Sequence, residues 1–272
     1  MNIHNHFFND NTISIIKILE SSVKDYKIHY PELYEFWKEN FTQSLKKTKK
    51  KLSKNNLRRN FQGRVVNAII TKERPQLILN LFAGFLGNFH AIFQNSFFNI
   101  ENGLKFLWIN IDILEESIDS NCEYLSNEWN FTTDRFIEGT KSKINIFPNG
   151  IMIHIIGDLT RIDLVYQLLI NLTNYYSSSA IFALEGIMNL PLLTQQQFTN
   201  WWEVFKKIIE STTITFGSWM ASGDDWAGLL TKLFFYQQIL TEKHKQPFAF
   251  GELKSIKLVH NGPNLEEIIY DG

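Results

Sequence analysis

The stretch Lys143–Gly186, KINIFPNGIMIHIIGDLTRIDLVYQLLINLTNYYSSSAIFALEG, decides how the chain reads. Lys143 to Phe147 alternates, with Ile144 and Ile146 on one side and Asn145 on the other. That period of two marks a strand with one buried face. Pro148-Asn149-Gly150 follows, and proline fixes φ while Asn-Gly tolerates positive φ, so a hairpin turn is expected. Ile151 to Ile156 is almost unbroken apolar and β-branched, as in a strand covered on both faces. Gly157-Asp158 ends it. Asp158 or Thr160 can cap the next helix, in which Leu164, Leu168, Leu169 and Leu172 recur at helical spacing. Ser177 to Ser179 breaks that helix, and Ala180 to Leu184 reads as a second buried strand. Strand, helix and strand in such close succession predict a right-handed parallel crossover.

Working outward, the chain after Gly186 repeats the pattern. A helix is expected over Gln195 to Glu210, carrying Phe198, Trp201, Trp202, Phe205 and Ile209. Thr212 to Trp219 reads as a strand, Ser222 to about Leu240 as a helix, and Lys254 to Tyr270 as a terminal hairpin about Asn261-Gly262. Before Lys143 the spacing predicts helices: Asn11 to Val23, a helix opened by Pro31, Leu57 to Ile70, Pro75 to Leu86, His90 to Phe98, and Glu101 to Cys122. The last rests on Leu104, Leu107, Trp108, Ile111, Leu114 and Ile118 facing one way. The expected architecture is a two-part α+β / α/β chain. An all-α helical bundle over 1–140 precedes a mixed β-sheet domain with βα units over 141–272, and the boundary falls in the polar run Thr132 to Ser142.

The chain has 272 residues, 44% of them hydrophobic and 20% charged, enough to bury a substantial core. A net charge of −1 gives no overall attraction to nucleic acid or to an anionic membrane. Cys122 is the only cysteine, which excludes a disulfide framework and a zinc–thiolate cluster and fits a reducing compartment. The opening MNIHNHFFND lacks a basic region followed by an apolar run, so no signal peptide is expected. No stretch reaches the about 20 apolar residues that a bilayer helix needs. A cytoplasmic location follows as an expectation.

Few residues point to chemistry. Asp224 and Asp225 in WMASGDDWAG are the most pointed pair. SGDD resembles a metal-binding turn of RNA-dependent polymerases, but it is set here between a strand and a helix. The competing assignment makes Ser222 an N-cap with two carboxylates in the first helical turn. Among the histidines none forms HExxH; His154 interrupts a buried strand and reads as a core histidine with a satisfied hydrogen bond, and His90 is a haem-ligand candidate without other marks of a haem pocket. No GxSxG, P-loop or GxGxxG occurs. The basic run Lys46, Lys47, Lys49, Lys50 and Lys51, with Arg58 and Arg59 beyond it, reads as a solvated face and alternatively as a phosphate-contacting one. Trp201 and Trp202 point about 100° apart on their helix, which leaves one for a partner.

The run NGIMIHIIGDLTRIDLVYQLLINLTNYYSSSAIFALEGI resembles the opening of a STAS domain, with Gly157, Leu159, Leu168, Leu169, Ile181, Leu184, Gly186 and Ile187 in matching places. TTITFGSWM resembles that domain's later strand. The segments VVNAII, RPQLILNLF and GLKFLWINIDILEESI resemble the globin-like sensor domain of stressosome scaffold proteins. The resemblance implies a non-enzymatic signalling or scaffold protein that binds protein partners, assembles with its own copies and needs no cofactor. Pro191 and Leu192 stand where that family carries its Asp and phosphorylatable residue; Thr194 lies near that place and Thr160 near the family's other phosphosite. The alternative expectation is a small α/β enzyme. Its acidic site would be Asp224 and Asp225, with His154 or Glu185 near the strand ends, where open sheets hold their ligands.

Overall fold

The computed structural model describes residues 8–52, 76–86, 106–147, 150–173, 175–176, 179–184, 195–211, 214–219 and 256–260. Two helices open the described chain. Helix α1 spans Asp10–His29, and the Asn9 side chain caps it by accepting from the Thr12 N–H at 2.9 Å. Tyr30 closes α1, and Pro31 begins α2 (Pro31–Leu52), as proline suits a first helical position.

The strands are β1 (Leu77–Leu81), β2 (Phe106–Asp112), β3 (Thr132–Arg135), β4 (Lys143–Phe147), β5 (Gly150–Ile156), β6 (Ser179–Leu184), β7 (Ile214–Trp219) and β8 (Ile256–His260). Helices α3 (Glu115–Trp129), α4 (Ile162–Thr173) and α5 (Gln195–Glu210) alternate with them. The strands form one eight-stranded sheet in the order β3-β4-β5-β2-β1-β6-β7-β8. From β5 through β8 every neighbouring pair is parallel, while the β3–β4–β5 edge is antiparallel. Taken in chain order, the parallel strands lie third, second, first, fourth, fifth, sixth across the sheet. The winding therefore reverses between β1 and β6.

Partners across a parallel pair share a face. Leu79, Ile109 and Ile153 stand in one row, and Asn80, Asn110 and His154 in the next. The first face packs against Ile16 and Leu19 of α1, Leu168 and Leu172 of α4, and Trp201, Phe205 and Ile208 of α5. The second is covered by α3, whose Cys122 lies against Asn145 of β4. Tyr26 of α1 and Tyr34 of α2 pack with Leu114, Ile118 and Ile156, so the N-terminal helices close on the ends of β2 and β5. Gly150 is fixed by sterics: a Cβ there would stand 2.4 Å from the Phe106 carbonyl oxygen.

The elements from β4 to β7 fall where the periodicity places them. The helices expected over 75–86 and 101–122 do not form as such. The first holds β1, and the second holds β2 followed by the start of α3. Spacing misleads here because β1 is buried at every position and β2 at all but its last. An unbroken apolar run satisfies the i, i+3, i+4 pattern as readily as a helix does. An all-helical bundle over 1–140 is therefore corrected to a helical region over 10–52 followed by strands that join the common sheet. The boundary expected at 132–142 lies inside that sheet, between β3 and β4. The first arm of the expected terminal hairpin is β8, which pairs in parallel with β7. Its second arm and the helices expected over 57–70, 90–98 and 222–240 lie outside the described residues.

Candidate functional site

The carboxyl ends of β1, β2 and β5 meet at one edge of the sheet. β1 runs into a turn with two left-handed residues, Phe82 (φ 54°) and Gly84 (φ 53°). The conformation suits glycine but is strained for phenylalanine, at a cost of about 1–3 kcal/mol. The turn is held from β2 and α3. Asp112 Oδ2 accepts from the Gly84 N–H at 2.7 Å, and the Gly84 carbonyl accepts from Ser117 Oγ and Asn121 Nδ2, each at 2.8 Å. Asn121 Oδ1 accepts from the Leu86 N–H at 2.7 Å.

Asp112 is the last residue of β2. Its Oδ1 accepts from the Leu114 N–H at 2.9 Å, which fixes the entry into α3. Burial pushes its carboxyl above the usual range, against the pull of the Leu114 and Gly84 N–H groups. Asp158 sits just past β5, whose end is tied to β2 by the Gly157 N–H donating to the Asp112 carbonyl at 2.9 Å. Asp158 Oδ1 accepts from the N–H and hydroxyl of Thr160, at 2.9 and 2.7 Å. Its carboxyl too is raised by burial, with Thr160 acting in the other direction. Residues 79–86, 110–118 and 154–160 carry Asp112, Glu115, Glu116 and Asp158 and contain neither lysine nor arginine. Arg161 follows the Asp158 turn at once; its charge draws the Asp158 carboxyl down, and its guanidinium pairs with Asp163 at 3.3 Å. Lys38 pairs with Glu116 at 2.9 Å, and Lys141 with Glu115.

A buried polar ladder crosses the second face just below this edge. Asn80 Nδ2 donates to Asn110 Oδ1 at 2.8 Å, and so does the Trp108 indole N–H at 2.9 Å. Asn110 Nδ2 lies 3.4 Å from His154 Nδ1. His154 Nε2 lies 2.9 Å from Asn145 Oδ1, and Asn145 Nδ2 donates to Thr133 Oγ1 at 2.7 Å. Asn80, Asn110, His154 and Asn145 are all buried. Among the described residues, Asn80 Oδ1 finds no hydrogen-bond partner.

Of the residues singled out from the sequence, His154 is a member of this ladder. Burial and the Lys143 charge push its imidazole down to about 3, so the ring is neutral with both nitrogens engaged and is not a base at the strand ends. Trp201 is buried and donates to the Leu159 carbonyl at 2.7 Å, so of the two tryptophans it is not the one left for a partner. Thr160 is half-buried and bonded to Asp158. Lys46 is exposed on α2; the side chains of Lys47, Lys49, Lys50, Lys51 and Trp202 are outside what is described, as are Arg58, Arg59, Glu185, Thr194, Asp224 and Asp225 altogether. Asp112 and Asp158 were not singled out as site residues. Each follows an apolar run, and that was the available signal. Burial raises the Cys122 thiol to about 12, which makes it inert as a nucleophile. Among the described residues no three His, Cys, Asp or Glu side chains gather as a metal site. Nor is any described helix long and apolar enough to cross a membrane.

Comparison with known protein families, with curated proteins and with solved structures returns no match.

Proposed function

We propose that the carboxyl edge around the β1–β6 reversal binds a phosphate-free nucleoside cofactor in a small α/β enzyme. The observation that carries this reading is the strand order together with an acidic residue closing β2. In doubly wound sheets ligands sit outside the carboxyl ends of strands at the reversal, and an acidic residue beyond the first βα unit accepts from ribose hydroxyls. Asp112, half-buried, has that place, and the buried Asp158 adds a second acceptor one strand away.

Charge narrows the cofactor. A dinucleotide brings a diphosphate, which needs a glycine-rich cradle or cations. The sequence has no GxGxxG or P-loop, and acidic residues predominate at this edge, where Arg161 beside Asp158 is already paired with Asp163. A neutral or cationic nucleoside avoids that repulsion. S-adenosylmethionine, with its sulfonium, belongs to this class, and transfer of a group from such a donor is the reaction class that follows. This is the enzymatic alternative drawn from the sequence, with Asp112 and Asp158 in place of Asp224 and Asp225.

Isothermal titration of the full chain with S-adenosylmethionine tests the reading. Saturable binding is expected, weakened about tenfold or more in Asp112→Asn, which loses a charged acceptor. Saturation by a nicotinamide dinucleotide and not by S-adenosylmethionine would overturn the cofactor class.

The second reading is the signalling scaffold with a STAS-like partner-binding region. What favours it is apolar exposure at the α1–α2 corner, where Ile28 is 73% and Phe36 52% exposed beside Tyr30. Self-association in size-exclusion chromatography with light scattering would support it. A monomer at micromolar concentration that also binds S-adenosylmethionine would count against it.

A further inference from the structure

We infer that the buried ladder from Asn80 to Thr133 is an electrostatic element that makes the β1–β6 crevice favour a cationic cofactor over its neutral counterpart. The inference deepens the cofactor reading above and rests on it. Its basis is the direction of the hydrogen bonds. An indole N–H only donates, so the Asn110 atom facing Trp108 is the amide oxygen. The Asn110 amide NH2 then faces His154, whose Nδ1 must accept. His154 carries its proton on Nε2 and gives it to Asn145 Oδ1, leaving the Asn145 NH2 to donate to Thr133. Asn80, at the other end, gives its NH2 to Asn110. Every bond runs the same way, from β1 toward β3.

Four aligned side-chain groups polarise one another and act as a fixed dipole. The two ends are unlike. The positive end reaches Thr133 on the exposed edge strand β3, where water screens it. The negative end is Asn80 Oδ1, which is buried and unpartnered among the described residues. Asn80 is one residue from the carboxyl end of β1 and pairs in register with Phe182 of β6, across the reversal. The ladder thus leaves uncompensated negative potential under the crevice, with the same sign as Asp112 and Asp158. In a low-dielectric setting this acts on ligand charge without direct contact.

The test compares S-adenosylmethionine with S-adenosylhomocysteine, which lacks the sulfonium charge, by titration at neutral pH. The ratio of their affinities is expected to move toward the neutral ligand by about threefold or more in Asn110→Leu, which interrupts the chain at its centre. Thr133→Val trims only the screened end and is expected to leave the ratio within about twofold of the wild type. An unchanged ratio in Asn110→Leu, with both ligands bound, overturns the ladder's role and leaves the cofactor reading standing. If the wild type binds neither ligand, the cofactor reading itself fails and this inference with it. Should Asn110→Leu not fold, the ¹³Cγ resonance of Asn80 in the wild type decides. A larger shift with S-adenosylmethionine than with S-adenosylhomocysteine supports the inference, and equal shifts overturn it.

Discussion

His154 is the residue whose chemistry is most tightly set by its surroundings. The groups facing it are the Asn110 and Asn145 amides, the Lys143 cation opposite it on β4, and, through Asn145, the Cys122 thiol of α3. None is an anion that would stabilise imidazolium. The folded ring titrates near 3, against an ordinary value of 6.5. Between these values the unfolded chain binds a proton that the folded chain refuses. The stability His154 contributes is therefore complete above about pH 6.5 and is lost as the pH falls toward 3, by up to about 1.4 kcal/mol per pH unit. Asp112 and Asp158, raised by burial, act in the opposite sense, since the folded chain holds their protons more tightly. The contribution of His154 is best isolated as a difference. Urea unfolding of the wild type and of His154→Gln at pH 7, 6 and 5 should show the wild type losing stability faster on acidification. Parallel pH dependence in the two proteins would mean that the ring is not held neutral.

Asp112 shows why the site was hard to find from the sequence. A carboxylate in a helix over 101–122 would lie on its polar side; the same residue at the end of β2 closes a strand and faces a turn. Its role depends on the element it belongs to, and the apolar spacing around it fits a helix as well as the strand that forms. His154 was legible as a core histidine with satisfied nitrogens, because a single polar residue in an apolar β-branched run has few other fates.

Among elements, the β4–β5 hairpin and the β5–α4–β6 crossover could be read from the chain because their signals are local. Pro148-Asn149-Gly150 punctuates the hairpin, and the leucines of α4 repeat at helical spacing. β1 and β2 have no such punctuation. LILNL and FLWINID are apolar at most positions, because both faces of the sheet are covered. Only pairing with strands distant in sequence makes them extended. The hairpin offers a direct test of packing at its corner. Gly150→Ala drives a methyl into the Phe106 carbonyl and should destabilise the fold by about 1–3 kcal/mol in chemical denaturation. A loss under about 0.5 kcal/mol would show that β2 and β5 do not approach as closely as the register requires.

At the scale of the whole molecule, the α+β class and the helical opening are legible in the sequence, and the order of the strands is not. The expectation of a bundle followed by a separate platform fails because β1 and β2 occupy the centre of the sheet and the later strands are laid down on either side. This central placement creates the reversal between β1 and β6 on which the functional reading depends. The N-terminal helices then serve the same edge, packing Tyr26 and Tyr34 against Leu114 and Ile156.

The central claim is that a nucleoside cofactor docks at the carboxyl ends of β1, β2 and β5. Hydrogen exchange of the full chain, with and without S-adenosylmethionine, addresses it most directly. Slowed exchange is expected at residues 82–86, 112–114 and 157–160, where the turn after β1, the end of β2 and the Asp158 turn converge. Protection confined to the α1–α2 corner, or no change at any amide, would contradict it.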